Sequence, residues 1–251
     1  MHIGDNRPAN ILLGQLVTSD LYLLQPHLER VGLEKGVFLS RSGEPIRYLY
    51  FLHSGIASIV SNRRDEVRVE LAVVGKEGVT GIAGLLGATS APHETMLQVD
   101  HAYADRVELS CVTSVMDTSS SFRHLMLRFV QTVLIQISGN AAANVSDRLN
   151  ARLARWLLMC HDRVEGEDIP LTHEFMAAMI GAPRSAVTTA LHDLESVHAI
   201  HTQRGRVVIT DRTGLEALAG AGYGTPEAEY RRLIAPFGKS RNQQPQDREI
   251  G

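Results

Sequence analysis

The pattern of hydrophobic and polar positions changes its period near residue 119. Upstream, residues 30–115 consist of short apolar runs that are separated by glycine-containing turns. Segment 46–52 is rich in aromatic and aliphatic residues and is a strand candidate. The clearest alternation with a period of two is made by Val67, Val69, Leu71 and Val73. Many short strands with regular turns predict a sandwich, a barrel or a jelly roll.

A long α-helix is predicted downstream, over residues 121–146. The segment contains no proline and a single glycine, Gly139. Several faces of such a helix would be apolar, so we expect it to pack on its own domain and on the same helix of a second chain. A central helix that is buried within one chain is the alternative. The residues that we assign to the dimer interface are spaced three or four apart: Met126, Val130, Val133, Ile137 and Ala141.

Residues 171–195 predict two short helices that are joined by a tight turn. Thr172 can cap the first helix through its hydroxyl group, and Gly181 can supply the positive φ of the turn. Pro183 is compatible with the first turn of the second helix. Such a pair of helices is typical of a helix-turn-helix. A small helical domain without a nucleic-acid role is the alternative.

The second of these helices has two unlike faces. One face is apolar, and the other combines an arginine with small hydrogen-bonding side chains and holds neither lysine nor glutamate. An arginine can pair with guanine in the major groove, and hydroxyl groups can reach bases or phosphates. We therefore assign DNA contacts on this helix to Arg184, Ser185, Thr188 and Thr189.

A basic-tipped hairpin is predicted at residues 199–210, with its turn at Arg204 and Gly205. A helix-turn-helix that is followed by such a hairpin is a winged helix. Residues 169–212 contain four arginines and four acidic residues, so attraction to DNA has to come from the placement of charge. The residues that we assign to the DNA backbone are Thr172, His173, Arg204 and Arg206.

These features resemble the Crp–Fnr family of bacterial transcription regulators, over roughly residues 21–218. In the N-terminal half the resemblance rests on a rhythm of turns, namely Lys35-Gly36, Gly43-Glu44-Pro45, Tyr48 and Gly55. The resemblance implies an α+β protein with Arg184 in the place of a guanine-contacting arginine, and it implies RNA polymerase as a partner. The implied parts are a cyclic-nucleotide-binding-like jelly roll at 10–118, a dimerisation helix at 119–146, a winged helix-turn-helix at 147–220 and a partly disordered extension at 221–251.

The segment that would bind an effector, residues 81–95, departs from the cyclic-nucleotide binders of this family. Ile82 or Ala83 stands where a ribose-binding glutamate belongs, and no arginine occurs between Arg68 and Arg106. Because a buried phosphate without a cationic partner is costly, we do not expect a cyclic nucleotide. A small-molecule effector stays unidentified. A ligand-independent regulator with a degenerate sensor domain is the alternative.

Composition excludes some classes of site and segment but does not indicate a function. The chain has 251 residues, 44% of them hydrophobic, and a net charge of −3. The chain has two cysteines and no CxxC pair, so a zinc or iron–sulfur site made of cysteines alone would lack ligands. This cysteine usage suits a reducing cytoplasm. The iron–sulfur branch of the family is set aside because no cysteine precedes Cys111. We expect neither a signal peptide nor a membrane span, and therefore a cytoplasmic protein.

Catalytic and metal-binding functions have weaker support. Among the eleven histidines, His53, His93 and His101 are candidates for a haem ligand, but isolated histidines are more often structural. A jelly-roll metal enzyme is an alternative class, although the chain lacks a His-x-His pair, a P-loop and a Gly-x-Ser-x-Gly motif. We predict no enzyme, no catalytic residue, no metal and no cofactor. Cys111 is predicted as a half-buried strand residue, with a redox role as the alternative.

The sequence thus predicts a transcription regulator that binds an inverted-repeat operator as a homodimer. The expected partners are double-stranded DNA, a second copy of the chain, RNA polymerase and an unidentified small-molecule effector.

Overall fold

A β-rich domain occupies the first part of the chain in the computed structural model, which describes residues 8–62, 68–99 and 102–239. Two of the residues named above, Val67 and His101, lie outside these ranges. A short 3-10 turn at Leu13–Gln15 opens the domain. Its helices and strands are α1 (Thr18–Leu24), β1 (Glu29–Leu33), β2 (Phe38–Ser40), β3 (Tyr48–Leu52), β4 (Ala57–Asn62), β5 (Arg68–Val74), α2 (Ile82–Leu85), β6 (Glu94–Leu97) and β7 (Ala102–Glu108).

Two antiparallel sheets form this domain. The first has the strand order β1-β7-β3 and the second has the order β2-β6-β4-β5. Leu49 and Phe51 of β3 share one hydrophobic cluster with Ile59 of β4 and with Ala72 and Val74 of β5. The prediction of a jelly-roll domain from short strands and regular turns is therefore confirmed.

Two helices follow the sheets, α3 (Leu109–Thr118) and α4 (Ser120–Ser146). The long helix predicted over 121–146 is α4, whose 27 residues extend for about 40 Å. The hydroxyl of Ser119 caps α4 by accepting a hydrogen bond of 3.2 Å from the Phe122 amide, and it donates one of 2.7 Å to Asp20. The strand predicted around Cys111 is wrong, because this residue lies in α3 and is half-buried there. No glycine or proline marks the passage from β7 into α3, so the sequence hides that boundary.

The winged-helix domain comes next and matches the predicted order of elements. Its own sheet has the strand order β8-β10-β9. The elements are α5 (Leu149–His161), β8 (Asp168–Ile169), α6 (His173–Ile180), α7 (Arg184–Ser196), β9 (Ile200–Gln203), β10 (Arg206–Ile209) and α8 (Arg212–Ala219).

The two domains share a hydrophobic core. Ile56, Val60 and Val73 of the β-domain belong to the same cluster as Leu157 of α5 and Met176 of α6. Strand β5 is therefore covered on both faces, by the core of the β-domain on one side and by the winged-helix domain on the other. This position attaches α6 and α7 to the β-domain.

The C-terminal segment returns to the β-domain. A 3-10 turn at Gly220–Gly222 leads into α9 (Thr225–Leu233), which packs along α4. The Tyr230 hydroxyl donates a hydrogen bond of 2.6 Å to the Glu77 carbonyl, and Phe237 is buried in the β-domain cluster. Within the predicted extension, residues 225–239 thus pack on the core, and residues 240–251 lie outside the described ranges. None of the described helices combines the length and the hydropathy that a membrane crossing requires.

Candidate nucleic-acid interface

The turn between α6 and α7 is built as the sequence predicts. The Thr172 hydroxyl caps α6 by accepting a hydrogen bond of 3.2 Å from the Phe175 amide, which leaves its own proton available to a phosphate. Gly181 ends α6 with φ at +65°, in the left-handed region that favours glycine. A Cβ at this position would lie 3.3 Å from Cγ2 of Val69 on β5. The turn is consequently held against the β-domain, and α7 follows on the outside.

Helix α7 presents the predicted polar face to solvent. Pro183 occupies the N-cap rather than the first helical turn, and Arg184 is the first helical residue. The packed face consists of Val187, Ala190, Leu191 and Leu194, each no more than 1% exposed. The opposite face consists of Arg184, Ser185, Thr189 and His192, which are exposed, and of Thr188, which is half-buried.

The threonine hydroxyls on this face already use their protons. Thr188 donates to the Arg184 carbonyl at 3.0 Å, and Thr189 donates to the Ser185 carbonyl at 3.2 Å. Each hydroxyl keeps oxygen lone pairs, so in this rotamer it can accept a hydrogen bond from a base amino group. Nδ1 of His173 lies 3.3 Å from the Thr188 oxygen. Because the single Thr188 proton is directed to a carbonyl, His173 donates through Nδ1 in that contact, and Nε2 of the neutral ring is then an acceptor.

The two wing arginines differ in their surroundings. Arg204 lies at the turn between β9 and β10 and makes no ion pair with any residue that the structure describes. Arg206 donates hydrogen bonds to Gln203 at 2.7 Å and to Asp168 at 3.2 Å. The charge of Arg206 is therefore balanced locally, whereas that of Arg204 is available to DNA.

Two polar contacts that sequence reasoning missed hold α7 in place. Glu195, near the end of α7, accepts hydrogen bonds from the backbone amide and the hydroxyl of Thr202 on β9, at 2.9 and 3.0 Å. The Thr202 amide is the main reason why the pKa of Glu195 is lowered. Asn150 on α5 donates to Asp193 at 2.9 Å. An acid or amide on a polar helix face gives no sequence signal that it bridges two elements.

These bridges change the charge balance that composition suggests. Three of the four acids in the segment have structural roles, since Asp193 and Glu195 form the bridges above and Asp211 caps α8 through the Gly214 amide at 3.0 Å. Arg212 pairs with Asp162 at 2.8 Å inside the domain and is not part of the exposed face. The exposed face thus keeps Arg184 and Arg204 as its cations.

The stripe of α4 assigned to a dimer interface requires a correction. Met126, Val130 and Val133 are 0–3% exposed and pack in the core of their own β-domain, and Ile137 is half-buried beside them. Ala141 alone is exposed. Side chains that are already buried in one chain cannot contact a second chain without unfolding the first.

The solvent-facing side of α4 carries a different stripe. Its residues follow spacings of three and four without interruption, and all of them are exposed. Leu127, Leu134 and Val145 are 40%, 50% and 91% exposed, which is high for large apolar side chains on a helix. We call this set the α4 seam, and its members are His124, Leu127, Gln131, Leu134, Ser138, Ala141 and Val145.

The histidines considered as haem ligands lie in different surroundings. Nε2 of His53 is 2.7 Å from Oδ2 of Asp105. His93 lines a cavity in the β-domain. Within residues 8–62, 68–99 and 102–239, no group of three or more His, Cys, Asp or Glu side chains could hold a metal ion.

Comparisons with known proteins agree with this geometry. Residues 151–218 match the family model of the Crp-like helix-turn-helix domain. The chain therefore carries a Crp-like helix-turn-helix domain. No curated protein sequence matches the chain.

Solved structures extend the likeness in fold to most of the chain. FixK2 from Bradyrhizobium japonicum aligns with a TM-score of 0.68 and 17% identity, covering 77% of this chain and 98% of that one. A Crp-family transcriptional regulator from Thermus thermophilus aligns with a TM-score of 0.64 and 22% identity, covering 77% and 97%. A protein of the Crp/Fnr family from Eubacterium rectale gives 0.65 and 17%, covering 83% and 97%. At these identities the likeness is one of fold.

Proposed function

We propose that this protein is a transcription regulator that reads DNA sequence through α7 and the wing. The observation that carries the proposal is the exposed end of α7, where the Arg184 guanidinium has no partner among the residues that the structure describes. An arginine at the start of a recognition helix can donate two hydrogen bonds to guanine in the major groove. Thr188 and Thr189 lie one turn further along the same face and accept from base amino groups.

The DNA backbone is contacted by residues on either side of α7. Thr172 and His173 lie at the N-terminus of α6, where the helix dipole and free amides favour a phosphate. Arg204 at the tip of the wing reaches a second stretch of backbone. These contacts position the helix and supply affinity that depends on salt, whereas Arg184 supplies sequence preference.

We propose further that the protein is a homodimer that pairs through the α4 seam. The seam has the 3.5-residue period at which two helices pack with a left-handed twist. It extends for 22 residues, from His124 to Val145, along the solvent side of α4. A two-fold axis along α4 would place two α7 helices on one face of the DNA. The operator is then an inverted repeat with half-sites about one helical turn apart.

Two further elements of the proposal rest on the Crp–Fnr resemblance. A regulator of this type acts on RNA polymerase in the cytoplasm, and its β-domain senses an effector. In allosteric terms the effector would have to favour one arrangement of the two domains over another.

Selection from a random DNA pool tests the proposal. Purified protein is mixed with the pool at two salt concentrations, and the retained DNA is sequenced. We expect an inverted repeat that is lost with Arg184→Ala. Arg47→Ala, which removes an exposed arginine from the β-domain, is the matched control and should retain the same sequences.

The outcome separates base contact from phosphate contact. If Arg184 pairs with guanine, Arg184→Ala should cost about 1–3 kcal/mol at one base position of each half-site. Uniform weakening on all sequences would make Arg184 a phosphate contact. Retention of unrelated sequences by the wild-type protein at both salt concentrations, also in the presence of cell extract, would overturn sequence-specific binding.

A further inference from the structure

A cavity of about 170 Å³ lies in the β-domain beside α4. Strands β2, β4 and β6, helix α2 and the turn before β6 contribute to its wall, and α4 contributes one residue. Leu86 is 60% exposed at this site, whereas the isoleucines from β4 and from the segment before β3 are nearly inaccessible. The apolar lining includes Ile46, Ile59, Ile82, Leu86, Ala91 and Ile137.

Among the described residues that line the cavity, His93 has the only ionisable side chain. The polar side chains of the lining are Ser40, His93 and Thr95, and no Asp, Glu, Lys or Arg of the described residues takes part. Arg41 follows Ser40, but its guanidinium carbon lies 4.0 Å from the centre of the Phe38 ring. An anion in the cavity would lack a cationic partner and would lose its hydration. The chemistry of the wall therefore favours an uncharged ligand with few polar groups.

The volume limits the size of the ligand. Apolar cavities of about 150 Å³ in proteins stay dry and take up benzene. A cavity of about 170 Å³ has room for one aromatic ring with a small substituent, or roughly ten non-hydrogen atoms. A cyclic nucleotide is roughly twice that size and carries a charge.

We propose that this cavity binds a small neutral apolar molecule, such as a single aromatic ring with one hydroxyl group. Burial of the ring against the isoleucines supplies the affinity. Ser40, His93 or Thr95 receives the hydroxyl group. The proposal names the class of effector for the regulator proposed above, so its regulatory meaning rests on that function, whereas the binding site itself does not.

Helix α4 provides the route from the cavity to the DNA-binding domain. Ile137 lines the cavity, and Asn140 lies one turn further along α4. The Asn140 side chain donates a hydrogen bond of 2.6 Å to the Leu71 carbonyl and accepts one from Arg155 of α5. A ligand that displaces Ile137 therefore acts on a helix that is bonded to both β5 and the winged-helix domain.

Methyl NMR on the full chain tests the site without DNA. The δ1-methyl groups of isoleucine are labelled, and benzene, phenol and cyclic AMP are added separately. We expect benzene and phenol to shift the Ile82 and Ile137 signals in a saturable manner. The Ile169 and Ile209 signals, which report the winged-helix core, should not move and serve as the reference. Cyclic AMP should leave all four signals unchanged.

A matched pair of variants locates the ligand. Ala83→Leu fills the cavity and should weaken benzene binding at least tenfold, whereas Ala88→Leu adds the same atoms outside the lining and should not weaken it. Unchanged Ile169 and Ile209 signals show that each variant is folded. Absence of saturable shifts with benzene and phenol, shifts with cyclic AMP alone, or equal binding by both variants would each overturn the proposal. Benzene binding by a protein that retains no operator would leave the site standing and overturn the regulator function.

Discussion

The indole N–H of Trp156 donates a hydrogen bond of 2.7 Å to Oε1 of Glu70 across the junction of the two domains. Oε2 of Glu70 accepts hydrogen bonds from Ser58 at 2.6 Å and from Gln98 at 2.9 Å. Glu70 and Trp156 are each 5% exposed. Trp156 is the single tryptophan of the chain, so its fluorescence reports this junction directly. A buried carboxylate with three neutral donors thus joins β5 to α5.

The junction should make stability depend on pH through Glu70. Burial raises the pKa of Glu70 from 4.5 to about 7, against the opposing effects of its hydrogen bonds and of Arg163. Between these two pH values the folded chain binds more protons than the unfolded chain, so stability falls as pH rises. At about 1.4 kcal/mol per unit of pKa difference, ionisation of Glu70 costs the folded state about 3 kcal/mol.

Urea unfolding followed by Trp156 fluorescence from pH 4.5 to pH 8 measures this loss. Glu70→Gln keeps an oxygen for the indole and removes the ionisation, so its profile should be flatter by about 3 kcal/mol over that range. Burial raises the pKa of Glu227 as well, and this contribution is present in both proteins. Parallel profiles for the two proteins would show that Glu70 does not titrate at the junction.

The alternation through Val69, Leu71 and Val73 predicts β5 but not the surroundings of Glu70. Alternation of valine and leucine with charged residues indicates a strand with one solvated face, and the strand is present. The face that carries Glu70 is instead covered by the winged-helix domain. A period of two reports the geometry of a strand, and it holds no information on which distant segment packs against it.

The wing arginines should differ in their effect on DNA binding. Arg204 has no ion-pair partner among the described residues, whereas Arg206 pairs with Asp168 at 3.2 Å. Arg204→Ala should reduce the magnitude of the slope of log K against log salt by about 2 in a dimer, because each subunit loses one phosphate contact. Arg206→Ala should change the slope by less than half as much. Filter binding from about 50 to 200 mM salt measures both slopes, and equal changes would contradict the role given to Asp168.

The turn of the helix-turn-helix should be sensitive to a methyl group. Gly181→Ala places an alanine at a φ of +65° with its Cβ 3.3 Å from Val69. We expect the free energy of unfolding to fall by about 1–2 kcal/mol, mainly from the left-handed backbone. Gly205→Ala has a similar φ of +77° and open space around the Cβ, so it reports backbone strain alone. Equal losses for Gly181→Ala and Gly205→Ala would show that the turn does not lie against β5.

Local chemistry made the candidate DNA-contacting residues more predictable than the proposed dimer surface. Neighbouring residues in the sequence determine three features: the cap at Thr172, the glycine at the turn and the small polar face of α7. The structure contains all three. Helix α4 is apolar on several faces, so the sequence offers more than one stripe with the period of a helix. Which stripe packs on the β-domain depends on the shape of that domain. The stripe through Val130 and Val133 fits it, and the stripe through Leu127 and Leu134 is left exposed.

The α4 seam should therefore determine the oligomeric state. Leu134 is 50% exposed in the single chain, and Leu134→Glu would place two carboxylates against each other on a two-fold axis. Leu23 on α1 is 49% exposed and offers the same substitution away from the seam. Sedimentation equilibrium at micromolar concentration should give a dimer for the wild-type protein and for Leu23→Glu, and a monomer for Leu134→Glu. Unchanged thermal unfolding of a monomeric sample would show that the substitution acts on pairing and not on the fold. A wild-type monomer, or a Leu134→Glu dimer, would remove the two-fold axis on which the inverted-repeat operator depends.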